Sequence, residues 1–361
     1  MNTPTKILLI VNPVAGRMKS TSGLYEILDE LYRDDDYEGV LPLTEGDEDG
    51  FINKTATKKQ PKVPFAPLLP SVFTPPVGGE PNPNRRVTVV PTMYRGHATQ
   101  LASLAAEEGY DAVVCCGGDG TFNETVAGLM SIEQAHRPVL GYVPAGSTND
   151  FAASIGLSSS MREAARIAVG TNETALDIGL FRPIGLNPLP SRHFTYIASF
   201  GAFTATSYST SQAVKNWFGH LAYLVAGIKD IGNIQPHHAA FDLQDGTHLE
   251  GDFIFGAISN TTSAGGVLKL PSDYVSLSDG FMELFLIHMP KSPLDLQRIA
   301  TALLTQEFDD CPLIELHHIK AVRVLMDNNI SWSLDGEEAL GSRRIEIACL
   351  EHAVRIKTHA E

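Results

Sequence analysis

Cysteine is scarce, with four among 361 residues, and two of the four, Cys115 and Cys116, are neighbours in an apolar run. That spacing makes neither a zinc pattern nor a disulfide framework, so reduced and buried thiols are expected. No stretch reaches the roughly 18 to 20 uninterrupted apolar residues of a membrane-spanning helix. The first residues run directly into a strand pattern instead of an apolar leader, which gives the expectation of a cytoplasmic protein. Basic residues are in the minority: 27 Lys and Arg stand against 42 Asp and Glu, for a net charge of −15. Such a balance argues against nucleic acid as a partner and against general attraction to anionic headgroups. Contact with a membrane would have to be local.

What is present is ordinary globular chain, 43% hydrophobic and 19% charged, and long enough for two domains. The run Lys6-Ile7-Leu8-Leu9-Ile10-Val11 is apolar on both alternating faces, as a central parallel strand covered by helices must be. Leu24, Ile27, Leu28 and Leu31 follow at helical spacing. Strand and helix patterns then alternate over residues 86–91, 97–108, 111–116, 122–130 and 139–143, which predicts a doubly wound parallel sheet. Eight prolines between Pro61 and Pro83 interrupt this order, so residues 43–85 read as an insertion without regular structure. Beyond about residue 170 strands dominate, over 194–199, 253–259, 281–288, 321–326, 330–334, 345–348 and 353–357, with helices over 208–231 and 293–305. The expected architecture is α/β: a doubly wound nucleotide domain, 1–155, then a β-sandwich-like domain, 156–361, with the active site in the cleft between them.

Three loops carry chemistry. Gly117-Gly118-Asp119-Gly120-Thr121 stands where a buried strand yields to a helix. Glycines let backbone N–H groups approach an anion, the helix aims its positive end there, and Asp119 suits a bridging Mg²⁺. A tight β–α turn is the plain alternative. Pro144-Ala145-Gly146-Ser147-Thr148-Asn149-Asp150 follows the next strand and serves equally well as a helix cap. Asn12-Pro13-Val14-Ala15-Gly16-Arg17 closes the first strand. Loops at the carboxyl ends of parallel strands converge on one crevice. No Gly-Lys-Ser or Gly-Lys-Thr is present, so backbone amides, a metal ion and Arg17 would have to compensate phosphate charge.

These three motifs in this order, with Phe122-Asn123-Glu124 and Asn149-Asp150-Phe151-Ala152 continuing them, resemble the catalytic domain shared by diacylglycerol, sphingosine and ceramide kinases, above all the bacterial members. The likeness extends through Phe194–Ala205, Lys215, Gly219 and Tyr223, through Leu277-Ser278-Asp279-Gly280-Phe281, and to Leu334-Asp335-Gly336-Glu337. It implies that Asn12, Pro13, Gly16, Thr92, Gly117, Gly118, Asp119, Gly120, Thr121, Asn123, Gly146, Ser147, Asn149 and Asp150 line an ATP site. Bacterial relatives usually have threonine where Ser147 stands, and the hydroxyl is kept. The resemblance also implies a Mg²⁺ held by Asp279 and the carbonyls of Ser276 and Phe281, networked through water to Asp119 and Asp150, with Glu337 as general base and Asp335 as its orienter.

On that reading the protein transfers the γ-phosphoryl of ATP to a lipid hydroxyl, with diacylglycerol first among acceptors and phosphatidylglycerol or a sphingoid base as alternatives. It would visit the inner membrane surface transiently from the cytoplasm, and a homodimer stays open. An NAD-kinase-like enzyme and a non-catalytic nucleotide- or lipid-binding regulator are the rivals. Taken alone, Asp335-Gly336 would be a solvated hairpin turn. His237-His238 and His317-His318 read as surface residues without carboxylate partners, Trp332 as a packing residue, and Trp217-Phe218 as the place for membrane contact.

Overall fold

The computed structural model describes residues 5–16, 21–32, 84–147, 149–185, 189–201, 235–261, 263–264, 268–270 and 274–359. The expectations for Arg17, Thr148, most of the 43–85 insertion, the 208–231 helix, Lys215, Trp217, Phe218, Gly219 and Tyr223 lie outside these residues.

The first half alternates as its sequence predicts through β4, with β1 (Thr5–Val11), α1 (Thr21–Tyr32), β2 (Arg85–Pro91), α2 (His97–Leu104), β3 (Ala112–Gly117), α3 (Asp119–Met130) and β4 (Val139–Pro144), and two further helices follow, α4 (Asp150–Ser154) and α5 (Met161–Ala168). Every residue of β3 and β4 is buried, because each side of the sheet has its own apolar cover. Leu8, Ile10, Val113 and Cys115 pack with Phe122 and Val126 of α3. Ile7, Leu9, Val114 and Cys116 pack with Ile27 of α1 and Ala164 of α5. The strands run parallel in the order β2-β1-β3-β4, so their carboxyl ends share one edge. Helix α3 begins at Asp119, earlier than its hydrophobic spacing suggested, and this puts Asp119, Gly120 and Thr121 in the first helical turn, with Gly118 as the N-cap. Cys115, Cys116 and Cys311 are buried as expected, while Cys349 is only half-buried.

The second half is antiparallel. It comprises β5 (Glu173–Ile184), β6 (Arg192–Phe194), β7 (Ile197–Gly201), β8 (His237–Leu243), β9 (His248–Ser259), β10 (Ser263–Ala264), β11 (Leu268–Lys269), β12 (Met282–His288), α6 (Pro293–Thr305), β13 (Ile314–Ile319), β14 (Ala321–Met326), β15 (Ser331–Leu334), β16 (Glu337–Leu340) and β17 (Arg344–Lys357). β9 pairs with β8 along its first part and with β7 along its last, while β12 lies on its other edge. A strand shared in this way carries the chain from one layer to the next, and Phe181, Phe200, Phe241, Phe253 and Trp332 fill the space between. Trp332 is a packing residue, as its sequence context indicated.

Two differences from the sequence reading position the site. Residues 345–348 and 353–357 form one strand, β17, with a register shift between Leu350 and Val354. His352 takes a left-handed backbone there (φ 51), and its N–H donates to Asp177 Oδ1 at 2.6 Å. Second, β5, which the sequence reading passed over, pairs with β17 from Glu173 to Ile184. The far end of β17 also joins the parallel sheet through Ile356 and Leu140, so one ribbon runs through both halves.

Candidate active site

The three glycine loops meet at the shared strand edge, and backbone hydrogen bonds fix their spacing. Asn12 N–H donates to the Cys116 carbonyl (2.8 Å), Ala145 N–H to the Gly117 carbonyl (2.8 Å), and Thr92 N–H to the Val11 carbonyl (2.7 Å). The Asn12 side chain donates to Thr121 Oγ1 at 2.9 Å. Gly118 and Gly146 touch backbone to backbone: a Cβ on Gly146 would lie 2.6 Å from Gly118 Cα. Both glycines are thus required by close approach and not by φ. Gly16 faces the Ser147 hydroxyl, 3.1 Å from where its Cβ would be. Gly120 is exposed with open space around it, and Asn123 is buried with its side-chain oxygen unpartnered.

Asp119 is built into this junction. Its two oxygens accept the N–H groups of Asp150 (3.2 Å) and Phe151 (3.4 Å), so it caps the helix of the neighbouring loop. Burial raises its pKa, and these N–H donors oppose the rise. Asn149, at φ 54, closes the same loop by accepting from Gly146 N–H (2.9 Å) and donating to the Gly146 carbonyl (3.0 Å).

Asp335 and Gly336 form the turn between β15 and β16, with φ of 49 and 80 and Leu334 paired to Glu337. Two successive left-handed residues are the signature of a type I′ hairpin. The turn is not solvated at Asp335, which is buried. Its carboxylate accepts from Thr195 N–H (2.6 Å), Thr195 Oγ1 (2.9 Å), Tyr196 N–H (3.0 Å) and Ile197 N–H (3.0 Å). Burial pushes its pKa up to about 6 against the pull of those donors. Both oxygens are therefore committed to the start of β7, and Asp335 pins the turn that presents Glu337.

Glu337 is partly exposed. One carboxylate oxygen meets Arg95, from the loop between β2 and α2, at 2.9 Å and Arg192 of β6 at 3.2 Å. Arg95 thus links the Asp-Gly-Glu turn to the loop that follows β2, at the carboxyl edge of the parallel strands. The Tyr196 phenol sits at the same junction: burial raises its pKa well above 10.0, followed by the charges of Asp335, Asp119, Asp150 and Glu337. Arg95, Arg192 and Tyr196 escaped the sequence reading, since nothing in their local sequence marks them.

A third group surrounds the turn before β12. Buried Asp177 of β5 accepts from Gly280 N–H and from His352 N–H, both at 2.6 Å, and Asp279 accepts from Phe281 N–H at 3.0 Å. Glu283 is fully buried with neither carboxylate oxygen partnered, and burial pushes it up to about 8. Asn260 ties this turn to the Asp335 region, its side chain donating to the Asp177 carbonyl and its N–H to the Tyr196 carbonyl. Among the described residues no three His, Cys, Asp or Glu side chains converge as a cage. A cation here would rest on one carboxylate plus carbonyl oxygens, the hard donors that Mg²⁺ takes. The orphaned Glu283 beside the acidic turn is consistent with that donor set.

The diacylglycerol kinase catalytic domain family matches residues 79–181, which spans the Thr92, Gly117–Asn123 and Gly146–Asp150 loops. The diacylglycerol kinase of Bacillus subtilis (strain 168) is 31% identical over 247 residues, covering 68% of this chain and 77% of that protein. This chain belongs to the diacylglycerol kinase family. The diacylglycerol kinase of Staphylococcus aureus (strain JH9) is 30% identical over 246 residues, 67% of this chain and 73% of its own. Two structures from Bacillus anthracis str. Sterne share the fold of this family member. One superposes with a TM-score of 0.70 at 19% identity, covering 99% of this chain and 97% of its own. The other, a diacylglycerol kinase, has a TM-score of 0.63 at 17% identity, with 99% and 98% covered. Among the described residues no helix is long and apolar enough to cross a membrane.

Proposed function

We propose that this protein is an ATP-dependent lipid kinase that transfers the γ-phosphoryl group of ATP to a lipid hydroxyl, with diacylglycerol, giving phosphatidic acid, as the preferred acceptor. The observation that supports the reading is the Glu337 carboxylate 2.9 Å from Arg95, whose loop leaves the same strand edge as the glycine loops. Phosphoryl transfer to an alcohol needs a carboxylate for the hydroxyl proton near loops that can hold the phosphates.

Glu337 takes the proton of the acceptor hydroxyl. The acceptor oxygen bonds to the γ-phosphorus as the bond from that phosphorus to the β–γ bridging oxygen breaks, and ADP leaves with the electron pair. Asn12, Pro13 and Gly16, Thr92, Gly117 to Thr121 with Asn123, and Gly146, Ser147, Asn149 and Asp150 wall the triphosphate. Asp335 positions Glu337 through the hairpin turn. Asp279 with the carbonyls of Ser276 and Phe281 would hold Mg²⁺, which when bound orders the turn and spreads negative charge. Residues 1–155 serve as the nucleotide part and 156–361 as the acceptor part. Because the acceptor resides in a bilayer, the enzyme works at the membrane surface as a peripheral protein.

The test is transfer of label from γ-labelled ATP, with Mg²⁺, to mixed micelles of diacylglycerol, phosphatidylglycerol and sphingoid bases. Diacylglycerol should label fastest, and Glu337→Gln should lower turnover by about 100-fold or more without weakening ATP binding. Absence of any labelled lipid across the panel, or full activity in Glu337→Gln, overturns the proposal.

A further inference from the structure

The four loops at the strand edge, residues 12–16, 92–96, 117–123 and 144–151, contain two aspartates and a single Lys or Arg, which is Arg95. A triphosphate placed there brings several negative charges next to Asp119 and Asp150, and among the described residues of these loops Arg95 is the one side-chain cation that could join a bound metal ion in offsetting them. Arg95 is also held in a way that suits a moving cation. Its loop is tied down on both sides: Gly96 N–H donates to Glu124 Oε1 at 2.7 Å, and Met93 N–H donates to His97 Nδ1 at 3.1 Å. Gly96 has φ 85, the left-handed bend that turns the chain into α2 and leaves Arg95 at its apex.

The two arginines on Glu337 differ in anchorage. Arg192 donates to the Glu338 carbonyl at 2.7 Å as well as to Glu337, so it is fixed to the hairpin that carries Glu337. The Arg95 side chain is 73% exposed against 34% for Arg192. An exposed pair of this kind contributes little and exchanges easily, and a guanidinium binds phosphate oxygens with the same two-pronged geometry as a carboxylate.

Building on the kinase reading, we infer that Arg95 is the cross-cleft cation of this enzyme: it holds Glu337 when the site is empty and transfers to the γ-phosphate when ATP binds. The exchange removes one of the two cations on Glu337 Oε2, which makes the carboxylate a stronger acceptor for the hydroxyl proton. It also delivers positive charge to the phosphoryl group as the acceptor oxygen bonds to phosphorus and the bridging bond to ADP breaks. Arg192 stays behind as the positioning residue for Glu337.

The experiment measures ATP and ADP dissociation constants by calorimetry on the full-length protein with Mg²⁺, for wild type, Arg95→Gln, Arg95→Lys, Glu337→Gln and the Arg95→Gln/Glu337→Gln double variant. Circular dichroism melts first establish that each variant is folded. Arg95→Gln should weaken ATP by about tenfold or more and ADP by less than about threefold, since ADP lacks the γ-phosphate. Arg95→Lys should recover part of the loss. Glu337→Gln should tighten ATP a few-fold by releasing Arg95, and this gain should vanish in the double variant, the coupling expected of a shared partner. Equal losses for ATP and ADP, or no loss, in a wild-type background that binds ATP and phosphorylates lipid would overturn the role of Arg95 and leave the kinase reading standing. A wild-type protein that binds neither nucleotide would overturn the kinase reading itself.

Discussion

Asp335 and Glu337 stand two residues apart and live in opposite environments, which decides what each can do. Asp335 is buried beneath four donors from Thr195, Tyr196 and Ile197, whereas Glu337 is partly exposed and meets two guanidinium groups. Replacing Asp335 by asparagine puts an NH₂ where a carboxylate oxygen accepted N–H groups, leaving buried donors facing a donor. Loss of hydrogen bonds to a charged group and of their satisfaction should cost about 2–4 kcal/mol, read as a lower urea midpoint. Glu337→Gln should cost under about 1 kcal/mol. An Asp335→Asn variant as stable as wild type would mean that the carboxylate does not hold the turn. The motif residues were legible in the sequence because glycine and carboxylate at fixed spacing announce a turn or a charge site. Arg95, Arg192 and Asp177 were not legible, because each finds its meaning in a partner far along the chain: Arg95 in Glu337, Asp177 in Gly280 and His352.

At the scale of elements, the parallel strands were readable because strands buried on both faces are continuously apolar. β8 was passed over for the converse reason: one of its faces is polar and carries histidine. The sequence reading assigned His237 and His238 no carboxylate partners, yet antiparallel pairing supplies them to His238. Asp252 lies opposite His238 at 2.9 Å, Asp242 reaches His248 at 2.7 Å, and Glu250 stands between the two imidazoles at 3.3 and 3.4 Å. Hydrogen bonding to Asp252 and then Glu250 raises the pKa of His238 above 6.5, and bonding to Asp242 and then Glu250 does the same for His248. A folded-state pKa above the unfolded value means that the contribution to stability is complete below about pH 6.5 and is lost as pH rises through the folded value. Ring-proton NMR titration should find both histidines titrating above 6.5. Asp252→Asn should lower His238 and leave His248 nearly unchanged; two values at 6.5 in the wild type would show that the cross-strand pairs do not form in solution.

At the scale of the molecule, the sequence suggested two successive domains, and the change of pattern near residue 170 is real: helices alternate with strands before it and antiparallel strands follow. What no local pattern revealed is the return of the last strand. β5 and β17 pair along most of their length, and the final turn of that ribbon lies in the parallel sheet, where Ile356 is fully buried beside Leu140, Leu176 and Ile178. That same core includes Ile254 and Phe285 from the second half, so a fault at Ile356 should be felt in both. Ile356→Asp buries a charge without a partner and should cost about 3–5 kcal/mol. Trp332 lies in a different core, packed on Phe181 and Phe200, and makes a distant reporter. In a Trp217→Phe background, its fluorescence during urea unfolding should shift to a lower midpoint in Ile356→Asp, in step with the loss of ATP binding, because the ribbon couples the halves into one cooperative unit. If the Trp332 transition stays in place while nucleotide binding is lost, the halves unfold independently and the ribbon is a tether. In the coupled case, anything that orders the glycine loops, ATP above all, should also raise the midpoint read at Trp332.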